Sequence, residues 1–129
     1  LLFCFQHNCP GCHTSGIPTL THLVDAFRGT DIVAFAAVHT VFEEFDHNTY
    51  DAMLEDQRRY ALPMPFGHDA GAGIEGNSSV LMQRYRSGGT PWFILIDPQG
   101  VVVFNGFQVD AQRLTEYLRH AAAAPAAPT

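Results

Sequence analysis

The chain begins Leu1-Leu2-Phe3-Cys4-Phe5-Gln6, turns through His7-Asn8, and reaches Cys9-Pro10-Gly11-Cys12 before a helical pattern sets in. An apolar run of that length suits a buried strand, although period alone does not separate it from a buried helix. Pro10-Gly11 punctuates the turn. Beyond it, Ile17, Leu20, Leu23, Val24 and Phe27 recur at spacings of three and four, which marks one helix face, and Arg28-Gly29 supplies a stop. Two thiols three residues apart therefore lie between a strand and the first turn of a helix.

Outward from that unit, Asp31 to His39 reads as a second buried strand, its continuous apolar character typical of a central parallel position. Asn48 or Thr49 is placed to cap a helix running to about Tyr60. Pro63 and Pro65 force extended chain through Met64 to His68. A Gly-rich surface loop follows over Asp69 to Ser79, then a short helix from Val80 to Arg86 closed by Ser87-Gly88-Gly89. Pro91 leads a hairpin, Trp92 to Ile96 and Val101 to Phe104, joined by Asp97-Pro98-Gln99-Gly100. Val109 to His120 is the last helix. The order β-α-β, an αβ excursion, then α-β-β-α predicts an α/β sandwich with a mixed sheet and helices on both faces, the first two strands parallel by right-handed crossover.

The bulk numbers fit one domain over residues 1–123, followed by an Ala/Pro tail over 124–129 expected to be disordered. With 129 residues, 47% hydrophobic and 16% charged, the chain has the composition of a globular protein that can bury a core without staples. Its net charge of −6 and the absence of lysine argue against a nucleic-acid partner, which needs clustered Lys and Arg. No apolar run approaches the length of a membrane span. The opening strand carries no basic n-region or cleavage site, so the chain reads as an excised domain whose localisation signal or anchor would precede residue 1; extracytoplasmic and cytoplasmic settings both stay open. A monomer is expected.

Cys9 and Cys12 are within disulfide reach at a helix tip. The unpaired N–H groups and partial positive charge there stabilise a thiolate on the first cysteine. That thiolate attacks a disulfide, and the second cysteine resolves the mixed intermediate. No other cofactor is called for, the redox-active pair being the working group, and no metal ligands are assigned.

On the strand Leu1 to Gln6, the Cys9-Pro10-Gly11-Cys12 motif and the segment Gly89-Thr90-Pro91-Trp92-Phe93-Ile94-Leu95-Ile96-Asp97, the chain resembles the thioredoxin superfamily, and within it the TlpA-like disulfide reductase (redoxin) branch. The resemblance implies a thioredoxin-like three-layer sandwich in which the αβ excursion at about 41–68 is an insertion after the second strand. It further implies that Pro91 is in cis and faces the cysteines, and that Thr90-Pro91 offers a backbone edge to an extended substrate. Cys9 would be the nucleophile and Cys12 the resolving thiol, with Pro10 and Gly11 tuning their poise. The partners implied are a disulfide-bearing protein or small-thiol substrate and an electron donor, with the reductase direction favoured.

Three departures from the family pattern stand out. Asn8 replaces the usual aromatic before the first cysteine. Pro18 lies six rather than five residues after Cys12, which predicts a kink or bulge in the first helix. No acidic residue occupies the first strand, where thioredoxins keep a buried carboxylate. His7, His13 and His39 are the candidates for a proton relay, and Trp92 for the rim of the site.

Other readings of the same residues are weaker. Cys9-Pro10-Gly11-Cys12-His13 is literally a C-x-x-C-H haem-attachment string with Met64 as a conceivable axial partner, but the strands and hairpin oppose a c-type cytochrome. A peroxiredoxin-like peroxidase would need Thr three residues, and Pro seven residues, before its attacking cysteine; Gln6 and Leu2 stand there. A zinc or copper site on Cys9, Cys12 and one histidine lacks a second CxxC. A non-catalytic binding module is disfavoured by the intact cysteines. Cys4 is read as an inert core thiol, Phe93, Phe104 and Phe107 as core, and Glu43, Glu44 and Asp46 as a solvated loop. His22, His47, His68 and His120 are read as surface residues.

Overall fold

Alternation along the first strand sets the layers. In the computed structural model, which describes residues 1–124, β1 (Leu2–Phe5) points Phe3 and Phe5 to one face of the sheet, and Leu2 and Cys4 to the other. Helix α1 (Ile17–Ala26) follows and returns the chain to β2 (Ala36–Thr40), parallel to β1. Helix α2 (Tyr50–Tyr60), capped by the Thr49 hydroxyl accepting the Ala52 N–H, leads to β3 (Phe66–Asp69), parallel to β2 on its far side. Helix α3 (Val80–Tyr85) precedes the antiparallel pair β4 (Trp92–Ile96) and β5 (Val102–Gly106), and α4 (Ala111–Ala123) follows its Asp110 cap. The sheet order is β3-β2-β1-β4-β5.

One face carries the main core. Phe3, Phe5 and Phe93 pack there with Leu20 and Val24 of α1 and Met53 of α2, while Leu95 joins Leu23, Phe27 and the α4 residues Leu114 and Leu118. Truncating any of the three buried phenylalanines is expected to cost about 3–5 kcal/mol. The other face holds Cys4, Trp92 and Ile94 under Leu81 and Tyr85 of α3. The mixed sheet with helices on both faces and the αβ insertion after the second strand are thus as the sequence predicts.

One strand boundary differs. The second strand begins at Ala36 rather than Asp31, because its ladder with β1 starts at the Leu2–Ala36 pair and earlier residues have no strand beside them. The Ala/Pro tail expected over 124–129 lies, from residue 125 onward, outside the described residues. The late proline is absorbed locally: Cys12–Gly16 forms a π-helical turn closed by the Ile17 N–H donating to Cys12 O, which places Pro18 in the first turn of α1. Proline lacks an N–H and its ring crowds the carbonyl four residues back, so a wider turn is a fitting solution.

Candidate active site

Register brings the two ends of the site together. Cys4 pairs with Trp92 across β1 and β4, so Pro91 stands beside Phe5, at the end of β1 where the chain turns toward Cys9. On the other side, Phe5 pairs with His39 and His39 with His68. One row therefore crosses the sheet from Pro91 through Phe5 and His39 to His68, at the carboxyl ends of the parallel strands, where open α/β sheets place their ligand sites.

Above that row Cys9 and Cys12 are joined as a disulfide with Cα atoms 5.3 Å apart. The two sulfurs differ in access: Cys9 is half-buried, whereas Cys12 is fully enclosed at 0% exposure. The Cys12 N–H donates to Cys9 Sγ at 3.2 Å, and Sγ lies 3.6 Å from the Thr90 carbonyl oxygen. An N–H aimed at a sulfur from a helix start favours its thiolate form. The Thr90–Pro91 peptide is cis. The helix comes close to it: a Cβ on Gly16 would lie 2.9 Å from Pro91 Cβ and 3.0 Å from the Phe3 ring. Gly16 is required by proximity, not by an unusual φ.

On one flank of the disulfide an open groove of about 750 Å³ runs between Gly11, Ser15 and Thr19 on one side and Pro91, Phe107 and Val109 on the other. Phe107, expected in the core, is 46% exposed and faces this groove, its ring edge-on to Trp92. Trp92, expected at the rim, is 8% exposed; alternation along β4 sends it to the α3 face, where its indole N–H donates to Asn105 Oδ1. The aromatic at the rim is Phe107.

The other flank is polar and brings His7 and His13 together. His7 Nδ1–H donates to Asp56 Oδ2 at 2.9 Å, and His13 Nε2–H donates to the His7 carbonyl at 2.7 Å. That donation leaves His13 Nδ1 as an acceptor, and the Tyr60 hydroxyl donates to it. Asp56 and Tyr60 both come from α2 and were not read as site residues. The available signal was register: Asp56 falls on the same helical stripe as buried Ala52 and Met53, an unusual place for a carboxylate.

His39 lies beneath, 0% exposed. The His7 backbone N–H donates to its Nε2 at 3.0 Å, so its proton sits on Nδ1 and is donated to His68 Nδ1, also at 3.0 Å. Burial, and then the charge His68 would carry, push its pKa down to about 4. With both nitrogens committed, His39 has none left for the cysteines, and its place in a proton relay is not supported. His68 is half-buried rather than a surface residue, and burial lowers its pKa too. Its chain neighbour Asp69 pairs with Thr40, one step further along the strands. Burial pushes that carboxyl up, but the Leu81 N–H, the Ser79 hydroxyl and the Val80 and Gly71 N–H groups accumulate on it and hold it below the usual range. Asp69 thereby ties the inserted strand to α3, which leads into Thr90-Pro91.

Further out, Gln6 Oε1 accepts from the Phe42 N–H and Asn48 Nδ2, and Asn48 Oδ1 accepts the Asn8 N–H, fixing the turn before Cys9. Cys4 is fully buried, and burial followed by the Asp69 charge raises its thiol to about 12. It is a core thiol. No helix among the described residues is long and apolar enough to cross a membrane.

No protein-family model matches this chain, and no curated protein matches it. Two solved structures do. A crystal structure of a thioredoxin-like superfamily protein aligns with a TM-score of 0.84 and 29% identity over 98% of this chain and 80% of that one. The crystal structure of a thiol-disulfide isomerase from Corynebacterium glutamicum aligns with a TM-score of 0.80 and 30% identity over 96% of this chain and 80% of that one. With likeness of this extent over nearly the whole chain, the chain belongs to the thioredoxin superfamily.

Proposed function

We propose that the protein is a thiol–disulfide oxidoreductase, working in the reductase direction on disulfide-bearing proteins or small disulfides, with an external thiol as electron donor. The observation that carries this is the inequality of the two sulfurs: Cys9 half-buried beside the Thr90 carbonyl, Cys12 enclosed behind it. The reduced Cys9 thiolate attacks one sulfur of a substrate disulfide lying along Thr90-Pro91. A mixed disulfide forms and the first substrate thiolate leaves. Cys12 attacks Cys9 Sγ and releases the second substrate sulfur, which leaves with the Cys12 proton, and the Cys9–Cys12 disulfide remains. Two donor electrons and two protons restore the dithiol. The α2–β3 insertion supports placement in the TlpA-like branch.

Insulin reduction with a dithiol donor tests the roles. Cys9→Ser is expected to abolish turnover, and Cys12→Ser to accumulate a mixed disulfide visible by mass. Full activity in both variants would refute the assignment. A Cys9/Cys12 potential near or above that of glutathione would overturn the reductase direction alone.

A further inference from the structure

The polar flank carries more than orientation requires. Among the described residues, His7, His13 and Asp56 place one potential ligand atom each within 4.8 Å of one another, from the end of β1, the π-helical turn and α2. His7 and His13 bracket the cysteine motif at a spacing of five intervening residues. Asp56 is 1% exposed, and its Oδ1 has no hydrogen-bond partner at all. A carboxylate buried with one oxygen unsatisfied is costly, and a cation held by that carboxylate offsets the cost.

We propose that His7, His13 and Asp56 form a site for one divalent transition-metal ion of the zinc class, beside the disulfide and independent of its sulfurs. Zinc holds nitrogen and oxygen ligands at about 2.0–2.2 Å, which sets tetrahedral ligand atoms roughly 3.4 Å apart. His7 Nδ1 and Asp56 Oδ2 already stand 2.9 Å apart, with the third donor inside 4.8 Å. Occupancy moves the His7 proton from Nδ1 to Nε2 and spreads the Nδ1–Oδ2 pair by about 0.5 Å to admit the ion between them. His13 is pre-oriented: its ring is held by the His7 carbonyl on Nε2 and the Tyr60 hydroxyl on Nδ1, and one of these two bonds gives way to the ion. Two imidazoles and one carboxylate select Zn²⁺, Co²⁺ or Ni²⁺ over Mg²⁺ and Ca²⁺. The His7 side chain is 33% exposed, so the ion has a way in and a position open to water.

The test uses the full chain with its Cys9–Cys12 disulfide intact, which keeps both thiolates out of the coordination sphere and separates this inference from the oxidoreductase reading. Chelator-stripped protein is titrated with Zn²⁺ by calorimetry and with Co²⁺ by visible absorption. The expected result is one ion per chain with a dissociation constant below about 10 µM, and a melting temperature that rises with Zn²⁺ concentration. His7→Ala, His13→Ala and Asp56→Asn should each weaken binding about tenfold or more. His22→Ala and His68→Ala should leave it in place. The proposal is overturned by absence of saturable binding, by an affinity that His7→Ala leaves unchanged, or by binding that His68→Ala removes. His7 is partly exposed, so its variant decides the matter even where Asp56→Asn fails to fold.

Discussion

The two flanks of the disulfide are built from opposite materials. On the Pro91 side the walls are Gly11, Thr19, Phe107 and Val109, with no ionisable group among them. On the α2 side, His7, His13, Asp56 and Tyr60 are cross-linked by hydrogen bonds. The difference divides the labour around the single accessible sulfur, that of half-buried Cys9. An uncharged, open groove of mixed hydroxyl, amide and apolar lining suits an extended chain bound through backbone and side-chain contacts, whereas the other flank holds the loop entering Cys9 in place and offers charge. The helix tip belongs to both, since Gly11 lines the groove while His13 belongs to the polar cluster.

The largest expected effect breaks the polar side from beneath. His39 accepts the His7 N–H only while neutral, and its folded pKa of about 4 lies below the ordinary 6.5. The unfolded chain therefore binds the extra proton between those values. The stabilising contribution is complete above pH 6.5 and is lost as pH falls toward 4, amounting to roughly 3 kcal/mol. Denaturant unfolding in chelator at pH 7 and pH 4.5 should show that loss, and His39→Gln should flatten it; an unchanged slope in the variant would assign the loss elsewhere.

Next in size, Gly16→Ala strikes the Pro91 side. The added methyl would meet Pro91 and Phe3 at about 3 Å. Overpacking of this kind costs about 1–3 kcal/mol. Displacement of the ledge should slow exchange with protein substrates as well. A variant with wild-type stability and rate would show that Pro91 yields freely and that the ledge is not a fixed wall. The smallest effect is at the surface: Phe107→Ala removes apolar area from the groove and should lower kcat/KM for insulin about fivefold more than for a small aromatic disulfide. Equal losses on both would deny the groove a role in binding polypeptide.

What could be read from the sequence was what depends on neighbours in the chain. The opening strand, the two cysteines, the late proline and the Thr90-Pro91 hairpin each carry their own local signature, and each appears where the pattern put it. The start of β2 did not, because hydrophobicity marks Asp31 to Phe35 as well as Ala36 to Thr40 while the ladder needs a partner strand. Trp92 and Phe107 exchanged roles for a similar reason: which face a strand residue takes depends on the register of its neighbours, and Phe107 lies just past the end of β5. The polar flank was half visible. His7 and His13 sit beside the motif, but Asp56 reaches it only through the placement of α2, some fifty residues away in sequence.

The enclosure of Cys12 carries a kinetic consequence for the exchange proposed above. Whatever oxidant discharges the dithiol, and whatever donor recharges it, must approach Cys9 from the same side, since the partner sulfur has no surface of its own. Donor and acceptor are then mutually exclusive visitors. Turnover alternates between two half-reactions with no ternary complex, and reciprocal rate plots taken at different donor concentrations should run parallel.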